Sequence, residues 1–221
     1  AIIAKAEDDF CLVRIPGEKR SQICSPTQTA KHGSDIATIV AYSFLNQSKT
    51  ADFTLQNGGG VRTDLAKGDV SIGDVYKVLP FANKLVNVKM SGAEVKQALE
   101  EALDYALEPG GSTGAYPYAA GLRFNVDLKA QKGKRITKIQ IKERKSKKWK
   151  ALNLTKNYVV ITSDYIASGK DGYALFAKIQ KEGRIEETYL DYAQAFVDYL
   201  KAQKVLKKIP YSDYSTQSIK L

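Results

Sequence analysis

One α/β or α+β domain, a mixed β-sheet with packed helices, is predicted over residues 1–221 by three observations. The composition, 43% hydrophobic and 26% charged, is ordinary for a globular chain and enough to bury one large core or two small ones. The β-branched run Tyr158-Val-Val-Ile-Thr162 reads as a buried strand. The segment opening at Ser91 and Glu94 carries a capping box followed by an apolar stripe, Val95, Ala98, Leu99, Ala102, Leu103 and Ala106, which reads as a long helix. No internal repeat or low-complexity linker divides the chain.

Residues 1–33 lack sustained periodicity and read as an irregular or short-stranded lead-in. Cys11 and Cys24 flank the turn formers Pro16 and Gly17. They either close a small disulfide loop, as in an oxidising compartment, or remain two free thiols. With His32 the only histidine, no Cys/His zinc site can be assembled, and the spacing excludes Cys-x-x-Cys redox chemistry. His32 itself is expected at the surface or in a capping role. Ser34 and Asp35 offer an N-cap to an amphipathic helix carrying Ile36, Ile39, Val40 and Phe44. Asp52 to Gln56 is extended. A brief helix is expected over 72–78, stopped by Pro80, then a strand over 84–90 with Val86, Val88 and Met90 on one face. The run Pro109-Gly-Gly-Ser-Thr-Gly114 breaks the long helix. Alternation over 136–141 and 149–152 predicts a hairpin, and the last amphipathic helix is expected from about Thr188 to Gln203. No apolar run approaches the roughly 20 residues of a membrane span. With no signal peptide ahead of Ala1, a soluble chain, or the mature part of something longer, is expected.

The formal charge of +10 is one segment's property. Between Lys129 and Lys150 lie eleven Lys/Arg against one acid, Glu143, and the remaining 23 basic and 23 acidic residues cancel. Such a run attracts phosphate or anionic lipid without sequence preference. A hairpin edge kept solvated by lysines is the commoner role, so nucleic acid is not the expected partner.

Function is legible in three loops at strand ends. Asn57-Gly-Gly-Gly-Val-Arg62 gives up side-chain packing where backbone N–H groups can converge on an anion and a guanidinium can grip it. Leu79-Pro-Phe-Ala-Asn83 offers an aromatic and an amide, and Tyr165 to Asp171 an aromatic and a carboxylate. Two aromatics can sandwich a flat heterocycle, a carboxylate accepts from a ribose diol, an Asn amide both donates and accepts, and arginines take phosphate. Taken singly, each loop has a plainer reading: a solvent-facing Arg62, and core positions for Phe81 and Tyr165.

These strings, with Ser112-Thr-Gly114 between them, fall in an order and spacing that resembles the C-terminal domain of the 5'-nucleotidases. The segment Gly110 to Leu122 is most like the bacterial periplasmic NAD nucleotidase and UDP-sugar hydrolase branch. The resemblance covers nearly the whole chain and implies an α+β fold, a substrate-binding role and a periplasmic or secreted location. It implies that Phe81 and Tyr165 stack on the base, that Asn83 lies beside it and that Gly114 packs against it. By the same resemblance Asp171 binds ribose, Asn57 and Arg62 lie on the phosphate side, and Arg14, with Arg20 as the alternative, adds a further arginine. The family's hydrolysis belongs to an N-terminal metallophosphatase domain with two divalent metal ions. One histidine cannot supply that set, so no catalytic residue and no metal or other cofactor is expected within this chain. The expected partners are a nucleoside or nucleotide and a metallophosphatase domain of the same polypeptide.

Overall fold

A computed structural model describes residues 1–221. In chain order, β1 (Ile2–Ala6), α1 (Pro26–Thr29), α2 (Asp35–Gln47), β2 (Phe53–Asn57), β3 (Gly68–Ser71) and α3 (Ile72–Val78) make the first third. Next come β4 (Lys84–Ser91), α4 (Gly92–Leu107), β5 (Pro117–Ala120), β6 (Leu122–Asp127), β7 (Ile136–Lys142) and β8 (Trp149–Ala151). The chain closes with β9 (Asn157–Ser163), α5 (Asp164–Ala167), α6 (Leu175–Lys181), β10 (Ile185–Asp191), α7 (Tyr192–Gln203), β11 (Val205–Leu206) and β12 (Thr216–Lys220). Single 3₁₀ turns occupy Gly58–Gly60, Thr113–Ala115 and Tyr211–Asp213.

The α+β class holds, with the strands partitioned among three sheets of order β11-β1-β3, β10-β4-β9-β2-β5 and β12-β6-β7-β8. Each mixes directions: β2 runs parallel to β9, β1 to β11 and β12 to β6, and their other pairings are antiparallel. Fifty-six buried hydrophobic side chains form one continuous cluster from Ala4 to Leu206.

Local chemistry explains the helix starts. Ser91 Oγ accepts the Glu94 N–H while Glu94 Oε1 accepts the Ser91 N–H, at 3.2 and 2.9 Å. This reciprocal cap satisfies two donors at the head of α4, and all six apolar positions of its stripe are buried. Ser34 Oγ accepts the Ala37 N–H at 3.0 Å to start α2. Contrary to the amphipathic reading, ten of the 13 residues of α2 are buried, because it packs between the five-stranded sheet and α7.

Three other expectations are refined. The final helix begins at Tyr192, not near Thr188. Residues 185–191 instead form β10, which pairs antiparallel with the edge of β4, and Asp191 Oδ1 accepts the Gln194 N–H at 3.1 Å as the true cap. An available sheet edge overrides the expected helical start at Thr188 to Asp191. Cys11 and Cys24 are joined in a disulfide, with Cα atoms 5.9 Å apart. His32 caps nothing: its Nδ1–H donates to the Thr216 carbonyl at 2.8 Å and its ring stacks on Tyr211 at 4.9 Å, holding the C-terminal segment in place.

The predicted hairpin is β7–β8, paired through Gln140↔Ala151 and Lys142↔Trp149. Much of its charge is occupied locally. Arg135 bonds Asp104 Oδ1 at 2.6 Å, Lys142 bonds Asp213 at 3.1 Å, and Arg144 donates to the Ser48 and Ala51 carbonyls beyond the end of α2. No helix is long and apolar enough to cross a membrane.

Candidate functional site

The register of the five-stranded sheet brings four loops to one edge. Parallel β2 and β9 both end there, delivering the Gly58–Gly60 turn and α5. In the antiparallel pairs, Leu85 faces Ser163 and Asn57 faces Pro117. The loop entering β4 and the turn entering β5 therefore open on that same edge. Between them lies a cleft of about 320 Å³. Arg14, Asn57, Arg62, Phe81, Asn83, Gly114, Tyr165 and Asp171 all line it.

At the aromatic end, Phe81 and Tyr165 are 44% and 41% exposed, which rules out the core reading for both. The Arg62 guanidinium lies 5.7 Å from the Phe81 ring centre and Lys170 Nζ 5.5 Å from that of Tyr165. Each ring thus has a cation within attractive range of its face. Asn83 is held through its backbone, its carbonyl accepting the Tyr192 N–H at 3.0 Å.

The cationic side is built from two segments. Arg62 Nη1 donates to the Gly59 carbonyl at 3.2 Å. Arg14 comes from inside the disulfide loop, where its carbonyl accepts the Tyr118 hydroxyl at 2.6 Å and its Nη1 sits 3.4 Å from Thr113 Oγ1. Burial, and then the neighbouring charges of Arg20 and Arg62, lower the Arg14 pKa below the usual arginine value. That mutual destabilisation of cations is relieved by an anion between them. Arg20 does not line the cleft. It is exposed, and its Nε is held by Glu18 Oε1 at 2.9 Å.

The glycines are there for close approach. A Cβ on Gly59 would lie 3.0 Å from Gly114 Cα, and one on Gly114 would lie 3.2 Å from Gly59 Cα and 3.4 Å from Arg14 Cζ. The two turns thus meet backbone to backbone. Tyr173 ties the Tyr165–Asp171 loop to the Thr113–Ala115 turn, its hydroxyl donating to the Ala115 carbonyl at 3.0 Å.

Asn57 turns its amide toward Asp171. Its Nδ2 donates to Asp171 Oδ2 at 2.6 Å, a short charge-assisted bond. Asp171 adopts φ +56°, a backbone state that costs a non-glycine residue about 1–3 kcal/mol, and its Oδ1 has no protein partner. Beneath this pair lies Gln56, 1% exposed. Gln56 Nε2 donates to Asn57 O at 3.2 Å and Oδ1 at 3.4 Å, and its Oε1 has no partner. A buried orphan acceptor costs about 1–3 kcal/mol.

Gln56, Ser112, Ser163 and Tyr192 also line the cleft, and sequence reading did not assign them to it. For Gln56 the only signal was its place beside the Gly-rich motif; Tyr192 fell simply within the expected last helix. Tyr192 donates its hydroxyl to the Gly60 carbonyl at 3.3 Å, and burial raises its pKa. Both serines act as caps, Ser112 Oγ accepting from Gly114 N at 3.1 Å and Ser163 Oγ from Ile166 N at 3.4 Å. Neither has a base beside it. No group of three or more His, Cys, Asp or Glu side chains is placed to hold a metal ion. The cleft is equipped to bind a flat ring, a diol and an anion.

The family model described as 5'-nucleotidase, C-terminal domain, matches residues 11–178. NAD 5'-nucleotidase of Haemophilus influenzae is 37% identical over 207 residues, covering 92% of this chain and 33% of that protein. A probable 5'-nucleotidase of Treponema pallidum is 36% identical, covering 81% of this chain and 31% of its own length. Among solved structures, NAD nucleotidase of H. influenzae superposes with a TM-score of 0.84 at 32% identity, over 100% of this chain and 38% of its own. The chain thus spans about a third of the length of the curated relatives it matches. By fold, by motif order and by these matches, it belongs to the 5'-nucleotidase family as a C-terminal domain.

Proposed function

We propose that this chain is the nucleotide-binding, specificity-conferring domain of a 5'-nucleotidase-type hydrolase. The observation that carries the reading is the single cleft gathering Arg14, Arg62, Phe81, Asn83, Tyr165 and Asp171 from separated segments. The base stacks between Phe81 and Tyr165 with the Asn83 amide at its edge. The ribose diol donates to Asp171 Oδ1, and the phosphate sits against Arg14 and Arg62. Substrates of this shape are nucleoside monophosphates, NAD and UDP-sugars. Bond cleavage falls to a dimetal phosphatase domain joined to this one, since the cleft has neither a nucleophile–base pair nor a metal-holding cluster. The H. influenzae relative, matched both by sequence and as a solved structure, is named for NAD. The disulfide supports a periplasmic or secreted location.

Calorimetric titration with adenosine, AMP, NAD and UDP-glucose, run beside a phosphate-release assay in divalent metal, tests the reading. Binding of AMP or adenosine without turnover is expected. Turnover by the chain alone, or no binding by any of the four, overturns it. The basic hairpin is a poorer claimant for function, because Arg135, Lys142, Arg144 and Lys150 are already engaged with acids or carbonyls.

A further inference from the structure

We infer that Gln56 is a positioning residue that makes the cleft selective for a ribose diol, acting through Asn57 on Asp171. The inference rests on the proposed assignment of Asp171 to ribose. A carboxylate only accepts hydrogen bonds, so the 2.6 Å contact with Asp171 Oδ2 must come from the Asn57 NH₂ group. That fixes the orientation of the Asn57 amide and turns its Oδ1 inward. The donor meeting this Oδ1 is Gln56 Nε2, at 3.4 Å and shared with the Asn57 carbonyl at 3.2 Å. The Gln56 amide is fixed in turn, and the surplus acceptor ends on its own Oε1, buried and unpartnered. The chain of donors therefore runs in one direction, from Gln56 through Asn57 to the carboxylate, whose Oδ1 is left for the ligand.

Two features indicate that this arrangement serves more than packing. A residue that only filled the space would do so better as Met or Leu, with no orphan acceptor. Gly60 is also shaped around it: a Cβ there would lie 2.3 Å from Gln56 Nε2 and 2.8 Å from Asn57 Oδ1. The third glycine of the motif thus makes room for the amide that holds Asn57.

The test compares adenosine with 2',3'-dideoxyadenosine on wild-type chain and on Gln56→Met, by calorimetry, with a thermal melt of each protein. Wild type should bind adenosine at least about tenfold more tightly. In Gln56→Met that preference should fall by roughly five- to tenfold, with dideoxyadenosine affinity and melting temperature held or raised. A variant that keeps the full preference overturns the inference while leaving the ribose assignment standing. Equal weakening for both ligands, together with a lowered melt, shows a structural role and also overturns it. Wild-type chain with no preference between the two ligands overturns the ribose assignment itself, and the inference with it.

Discussion

Replacing Phe81 or Tyr165 by alanine removes one wall of the base site, and the size of the loss can be worked from exposure. An aromatic side chain presents about 200 Å². With 44% of Phe81 and 41% of Tyr165 open in the ligand-free cleft, about 80–90 Å² of each is available to a base, worth about 2 kcal/mol at ~25 cal/mol per Å². That agrees with the roughly 1–3 kcal/mol found when aromatic–base stacks are truncated. Each variant should lose roughly thirtyfold in AMP affinity, and the double variant about a thousandfold. Calorimetry with AMP and with ribose 5-phosphate, which lacks the base, separates stacking from general damage. Ribose 5-phosphate affinity should stay within about twofold of wild type, because Arg14, Arg62 and Asp171 are untouched. AMP affinity unchanged in the double variant, or both ligands weakened alike, would refute the sandwich.

Three further outcomes follow from contacts elsewhere. Arg184 clasps Glu94 with two bonds of 2.8 Å and holds its pKa at about 2, against an ordinary 4.5. Since the folded value is the lower one, this stabilisation is complete above about pH 4.5 and is lost as the pH falls toward 2. Allowing for partial solvent screening, Arg184→Met should cost about 2 kcal/mol in urea unfolding at pH 7 and much less near pH 3; a deficit independent of pH would contradict the pairing. Reducing the Cys11–Cys24 bond, which closes a loop with a sequence separation of 13, should lower stability by about 3 kcal/mol. It should also weaken AMP more than adenosine, because Arg14 lies within that loop; equal weakening would detach Arg14 from phosphate binding. Gly59→Ala places a methyl 3.0 Å from Gly114 Cα. A loss of about 1–3 kcal/mol is expected in thermal or urea melts, and a neutral variant would mean that the two turns can part freely.

Much of the site was legible because its chemistry is local. Three glycines followed by Arg62, and aromatics placed on Pro- or Gly-punctuated loops, announce themselves in short windows, as does the Ser91/Glu94 cap of α4. What escaped depends on partners far away in sequence. Residues 185–191 become a strand only because the edge of β4 needs one. The bond from Asn57 to Asp171 spans 114 positions and leaves no local trace. Gln56 had only its place beside the Gly-rich motif to mark it, since its significance lies in an unpaired oxygen that only packing reveals. Arg20 carried the same charge as Arg14 within the same excursion, but Glu18 draws it aside.

The cleft's composition has a consequence for how this domain matures. Its walls run from Arg14 to Tyr192, so no autonomous fragment of the chain contains the site. Closing those long loops is the slow, entropically opposed part of assembling such a topology. A ligand that spans the cleft would engage only the finished domain, and by mass action would draw the folding equilibrium toward that state. Occupancy of the cleft would then slow proteolysis of complete molecules and leave nicked or half-assembled ones without that protection.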